Sequence, residues 1–156
     1  MSEHKARIAW KRESSDFHYE SYKRDHEWEF EHGLVVRASA APDFRGSSDC
    51  VDPEEAFVAS ISSCHMLTFL AICARRRITV DRYVDNAVGY LEKNAENRLA
   101  ITRVELQPDI RYSGAPPSEG DLHKLHERAH HECFIANSVN CEITVRPPGR
   151  DAVPSQ

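Results

Sequence analysis

With 156 residues and 17.8 kDa, the chain has the length of one domain built on one core. Hydrophobic residues make up 40% and charged residues 29%, with 6 Gly and 8 Pro, a composition that excludes disordered and collagen-like classes. Lys and Arg number 20 against 25 Asp and Glu, a net charge of -5, so the attraction to phosphate behind nucleic-acid binding is missing and no nucleic-acid partner is expected.

The start, Met1-Ser2-Glu3-His4-Lys5, is polar and lacks the apolar stretch of a secretory signal, so a cytoplasmic, reducing location is expected. Lys5 to Lys11 reads as a strand. His26, Trp28, Phe30 and His32 then alternate with Asp25, Glu27, Glu29 and Glu31 at the period of a half-buried strand. His32-Gly33 marks a tight turn into Leu34 to Ala38, which completes a three-stranded meander. Ala41 to Asp49, with Pro42, Gly46, Ser47 and Ser48, is a loop.

Ala56 to Ala74 contains no charged residue over 19 positions, close to the length of a membrane span. Ser60, Ser62, Ser63, His65 and Thr68 interrupt it, so a buried soluble helix is expected and no membrane partner. Asp52 can cap this helix, Pro53 suits its first position and Glu55 the third, as in a capping box. Arg75-Arg76-Arg77 complements its C-terminal dipole. A helix apolar on all sides must be covered all round, which one small domain can hardly do; a partner subunit is the natural remedy.

Farther on, Val84 to Tyr90 and Val104 to Tyr112 alternate on either side of a polar turn at Asn94 to Arg98, a second hairpin. Ser113 to Gly120 is a loop, and Leu122, Leu125 and Ala129 mark a helix over about Glu119 to Glu132. Cys141, Ile143 and Val145 make a last strand, and 147–156 is expected to be a flexible tail. The order βββαββαβ predicts an α+β fold with largely antiparallel sheets over a single domain, 1–156.

Two groups of residues could carry chemistry. His126-Glu127-Arg128-Ala129-His130 spells His-Glu-x-x-His on a predicted helix, where two imidazoles could share a zinc ion and Glu127 act as general base of a hydrolase. Arg128 opposes a metal there, and no third ligand stands at a recognisable spacing; histidines on a solvated helix face are the plainer reading, and no metal site is assigned. Five cysteines form no Cys-x-x-Cys pair, so each thiol needs its own account. Cys64 lies within the apolar helix, where an inert core role is the default. His65 cannot be its partner, because helix neighbours point about 100° apart. Cys133 ends the second helix before Asn137-Ser138, where a mobile end could bring a thiol to another; an isolated cysteine is the alternative. Cys50, Cys73 and Cys141 read as a loop thiol, a helix-packing residue and a strand residue, with no role assigned.

Asp52-Pro53-Glu54-Glu55 opening a long apolar helix, Ser62-Ser63-Cys64 within it and Cys133 ahead of Asn137-Ser138 resemble the osmotically inducible protein and organic hydroperoxide resistance protein (OsmC/Ohr-like) family over nearly the whole chain. The resemblance implies antiparallel sheets around long central helices in an intertwined homodimer. It implies a cysteine-based peroxidase that reduces small organic hydroperoxides to alcohols. Its nucleophilic cysteine maps onto Cys64, its resolving cysteine onto Cys133, and its arginine and glutamate onto Arg24 and Glu54, with Arg12 and Arg37 as possible substitutes for the arginine. It implies no bound cofactor, only an external dithiol reductant such as a lipoyl group. The chain departs from the family pattern at Cys50-Val51, at His65, where phenylalanine is common, and at Phe134, where proline is frequent; these departures bear on substrate preference.

A cysteine thiol with a pKa of about 8.5 is mostly protonated at neutral pH, so a guanidinium, Arg24 held by Glu54, is expected to favour the thiolate. Ten residues separate Glu54 from Cys64, roughly 15 Å along a helix, which suggests that Cys64 and Cys133 of one chain meet Arg24 and Glu54 of another. Phe57, Met66, Phe69 and Phe134 are candidate walls of an apolar pocket. The rival readings are the zinc hydrolase and a non-catalytic dimeric ligand-binding protein.

Overall fold

In the computed structural model, which describes residues 1–146, the chain divides into two units, 1–56 and the residues from Phe57 onward. The expected tail, 147–156, lies outside the described residues.

The first unit carries strands β1 (Ala6–Ala9), β2 (His26–Phe30) and β3 (Val35–Ala38) in one antiparallel sheet with β2 central. Trp28 sits opposite Ile8 on one side and Val36 on the other, which fixes the register by the apolar face. The turn between β2 and β3 falls at His32-Gly33 as the sequence predicts; both residues have positive φ, 67° and 83°, a reversal that suits glycine. Gly46 answers a different need, because a Cβ there would lie 1.5 Å from the Ala40 carbonyl oxygen.

Helix α1 (Pro53–Arg75) begins at the capping box read from the sequence. The Glu55 N–H donates to Asp52 Oδ1 at 2.7 Å, and the Asp52 N–H donates to Glu55 Oε2 at 3.4 Å.

In the second unit, β4 (Val80–Asp85), β5 (Val88–Lys93), β6 (Leu99–Leu106) and β7 (Pro108–Tyr112) precede α2 (Glu119–Glu132) and β8 (Glu142–Val145). The α+β class holds, and each arm of the expected second hairpin is divided into two strands. The outer halves β4 and β7 form a two-stranded sheet, whereas β5 and β6 stay paired and join β8, which runs parallel to β6. The division falls at Asn86-Ala87 and Gln107, where Asp85 Oδ1 accepts the Gln107 N–H at 2.6 Å. A side-chain acceptor there replaces a ladder bond. Helix α2 has the predicted bounds, capped by the Ser118 hydroxyl, which accepts from the Asp121 N–H.

Buried residues gather in two clusters. Phe69, Ile72 and Cys73 of α1 pack with Leu122, Leu125 and Ala129 of α2, while Ile61 packs with Val104, Leu106, Ile143 and Val145. Among the described residues α1 is the one helix long and apolar enough to cross a membrane. The core takes only part of its circumference, and Ser60, Ser63, Leu67, Ala71 and Ala74 are exposed in this chain.

Candidate thiol site

Cys64 sits mid-way along α1, half-buried, with its carbonyl accepting from the Thr68 hydroxyl at 2.9 Å. Cys133 is the C-cap of α2 and fully buried. The two thiols, 69 positions apart in sequence, are neighbours: the Cys64 side chain lies close enough to Cys133 to act on its thiol. Burial first, and the neighbouring Cys64 side chain second, push the Cys133 thiol up to about 11. All five cysteines are free of disulfides.

The segment carrying Cys133 is held in place, contrary to the mobile helix end the sequence suggests. Its N–H donates to the His130 carbonyl at 3.2 Å, and its carbonyl accepts the Asn137 N–H at 3.0 Å. Its sulfur accepts the Ala136 N–H at 3.4 Å, and the Asn137 side-chain amide ties back to the His131 carbonyl. Each orphaned helix-end carbonyl that gains a partner removes a reason to fray.

Beside the thiols lies a polar contact that single-residue reading does not reveal. His65 Nε2 and His126 Nδ1 are 3.1 Å apart, the ring planes are within 9° of parallel with centroids 5.4 Å apart, and both residues are 1% exposed. His126 stacks on Phe69 at 4.5 Å. Burial first, and the nearby His130 second, pull the His65 pKa down to about 4, so the ring is neutral at ordinary pH. Membership of His126 in the Leu122, Leu125 and Ala129 stripe was the available sequence signal.

That placement overturns the zinc reading. His126 is turned into the core, whereas Glu127 faces outward and pairs with His123 at 3.2 Å. Among the described residues no group of three His, Cys, Asp or Glu side chains could hold a metal ion. Of the candidate pocket walls, Phe69 is a core residue, Phe57 packs in the other cluster and Phe134 is 81% exposed in this chain.

Arg24 and Glu54 belong to the first unit and do not form the expected ion pair in this chain. The guanidinium donates to the Tyr19 and Tyr22 carbonyls and lies over the Tyr22 ring, 3.9 Å from its centroid. Carbonyl acceptors and a ring face next to it in sequence are satisfied without ordering a distant carboxylate. Of the substitutes, Arg37 pairs with Asp49 at 3.2 Å and Arg12 donates to the Ser15 carbonyl. An apolar cavity of about 470 Å³ in this unit is lined by Ile8, Trp10, Phe17, Tyr22, Arg24 and Pro53 among others.

The family model described as OsmC-like protein matches residues 46–147, about two-thirds of the chain. The chain belongs to the OsmC-like family. An OsmC-like protein of unknown function from Vibrio cholerae is 46% identical, with a TM-score of 0.90 over 94% of this chain and 99% of that one. An organic hydroperoxide resistance protein from Legionella pneumophila, 16% identical, superposes with a TM-score of 0.70 over 94% of this chain and 96% of its own. Another from Elizabethkingia anophelis, with thiocyanate bound, is 17% identical, with a TM-score of 0.71 over 94% of both chains. At those identities the likeness is one of fold. Among curated proteins none matches.

Proposed function

We propose that this OsmC-like protein is a thiol-dependent peroxidase for organic hydroperoxides. The observation that carries the reading is that the side chains of Cys64 and Cys133 are neighbours. A thiol in the body of one helix and another at the end of a second are positioned for a disulfide that joins the helices.

In the proposed cycle the Cys64 thiolate attacks the terminal oxygen of the hydroperoxide. The O–O bond breaks, the alkoxide leaves and takes a proton to become the alcohol, and Cys64 is left as a sulfenic acid. The Cys133 sulfur then attacks the Cys64 sulfur, the S–O bond breaks and water departs. An external dithiol, lipoyl-like in chemistry, returns both thiols to the reduced state by exchange. Burial keeps Cys133 a thiol until that step, which suits a resolving residue better than a first nucleophile.

The assembly belongs to the proposal. Leu67, 61% exposed on the charge-free stretch of α1 and flanked at three- and four-residue spacing by Ser60, Ser63, Ala71 and Ala74, favours coverage by a second copy. Arg24 and Glu54 of that copy would then be the groups brought to Cys64, as cation and positioning carboxylate, in a cytoplasmic homodimer.

The test is consumption of an alkyl hydroperoxide with dihydrolipoamide as reductant, compared between the wild type and Cys64→Ser. Turnover abolished in the variant supports the reading. No turnover by the wild type with any dithiol leaves a non-catalytic binding protein as the answer.

A further inference from the structure

Helices α1 and α2 bring polar side chains together at two places. At one the thiols Cys64 and Cys133 are neighbours; at the other His65 and His126 are hydrogen-bonded. His126 precedes Cys133 by seven residues, about two helical turns, so both project from the same stripe of α2. On α1, His65 directly follows Cys64 and points about 100° away from it, into the core. Neither imidazole therefore has to touch a sulfur to influence where the sulfurs sit.

We propose that the His65–His126 pair is a positioning clamp that sets the register of α2 on α1 and thereby holds Cys133 against Cys64. Two apolar side chains could fill the same space, but dispersion contacts have little directional demand and tolerate small rotations of one helix on another. A buried N–H···N bond has a direction. His65 Nδ1 has no hydrogen-bond partner among the described residues, so the bond through Nε2 is the one hydrogen bond recorded for its ring. Any register of α2 that breaks it leaves that buried ring with the full cost of its lost solvation. The near-coplanar arrangement of the two rings, 9° between ring planes, and the stack of His126 on Phe69 narrow the choice further. The clamp depends on the thiol geometry and not on the identity of any peroxide, so it stands or falls apart from the peroxidase reading.

The experiment is the equilibrium between the dithiol and the Cys64–Cys133 disulfide in graded glutathione redox buffers, followed by mass spectrometry of the full chain. The variants are His65→Phe and His126→Phe, which keep bulk and lose the bond. A double variant, His65→Gln with His126→Asn, puts an amide N–H of one residue against the amide oxygen of the other near the positions of Nε2 and Nδ1. Wild type should form the disulfide readily. Each Phe variant, checked for fold by near-ultraviolet circular dichroism, should form it with an effective thiol concentration lower by about tenfold, the size of one directional bond. The double variant should stay within about twofold of wild type. Folded Phe variants with an unchanged equilibrium overturn the proposal, as does a wild type that forms no disulfide. If the Phe variants fail to fold, the double variant decides, and a tenfold loss there overturns it. A wild type that forms the disulfide but never consumes peroxide defeats the peroxidase reading and leaves the clamp intact.

Discussion

The Ser62 hydroxyl donates to Asp85 Oδ2 at 2.5 Å, two residues before Cys64, and so fastens the thiol-bearing stretch of α1 to the bend between β4 and β5. The other oxygen of Asp85 accepts the Gln107 N–H at the facing bend. One carboxylate thus organises the helix and both arms of the divided hairpin. Burial raises the Asp85 pKa, and these two donors pull the other way. Asp85→Ala removes both acceptors and should lower stability by about 2–4 kcal/mol, whereas Asp85→Asn, which keeps a carbonyl, should cost less. Urea unfolding midpoints decide, and an Ala variant as stable as wild type would contradict the account.

Acid should weaken the fold through His65. Its pKa of about 4 in the folded chain lies below the ordinary 6.5, so the unfolded chain binds the extra proton between those values. The contribution is complete above about pH 6.5 and is lost as pH falls toward 4, a total on the order of 3 kcal/mol. The half-buried His130, its pKa lowered by burial first and by His131 second, should deepen the loss. Thermal unfolding from pH 7 to 4 should show a steeper decline in wild type than in His65→Phe.

Cys133→Ser separates the two chemical steps. The first equivalent of alkyl hydroperoxide should still oxidise Cys64, and the sulfenic acid, with no thiol to condense with, should persist and react with dimedone. Excess peroxide should carry it on to sulfinic acid. Steady turnover with a dithiol should fall at least about tenfold, read by peroxide consumption against a mass spectrum of each species. Wild-type rates in Cys133→Ser would remove the resolving role.

The start of α1 offers a purely local test. Asp52→Ala deletes the acceptor for the Glu55 N–H and should cost about 1 kcal/mol, while Asp52→Asn or Asp52→Ser should recover most of it. Equal stability of Ala and Asn variants in urea would mean the cap contributes nothing.

Gly46→Ala should cost more, about 2 kcal/mol or greater, because the Ala40 carbonyl stands where the methyl would go and backbone must move to admit it. By contrast, Gly120, in the first turn of α2, has open space around it, and Gly120→Ala should be neutral or slightly stabilising. The pair of variants is read by thermal unfolding.

What the sequence determined by itself was whatever neighbours in the chain could settle. Asp52, Pro53 and Glu55 specify a helix start within one turn, the Leu122, Leu125 and Ala129 stripe and the loop before it bound α2, and His32-Gly33 closes a turn whose partners are adjacent. Cys64 and Cys133 could be singled out from motifs resembling a family, but nothing in either segment says that their sulfurs meet. Tertiary structure alone decided that contact, the division of the second hairpin by Asp85, the burial of Phe69 and the turning of His126 away from Glu127 toward His65. Each of these brings together groups 20 or more positions apart, or chooses between two faces of one helix. Such choices rest on the competition of every buried polar group for a partner across the whole core, which no local window of residues contains.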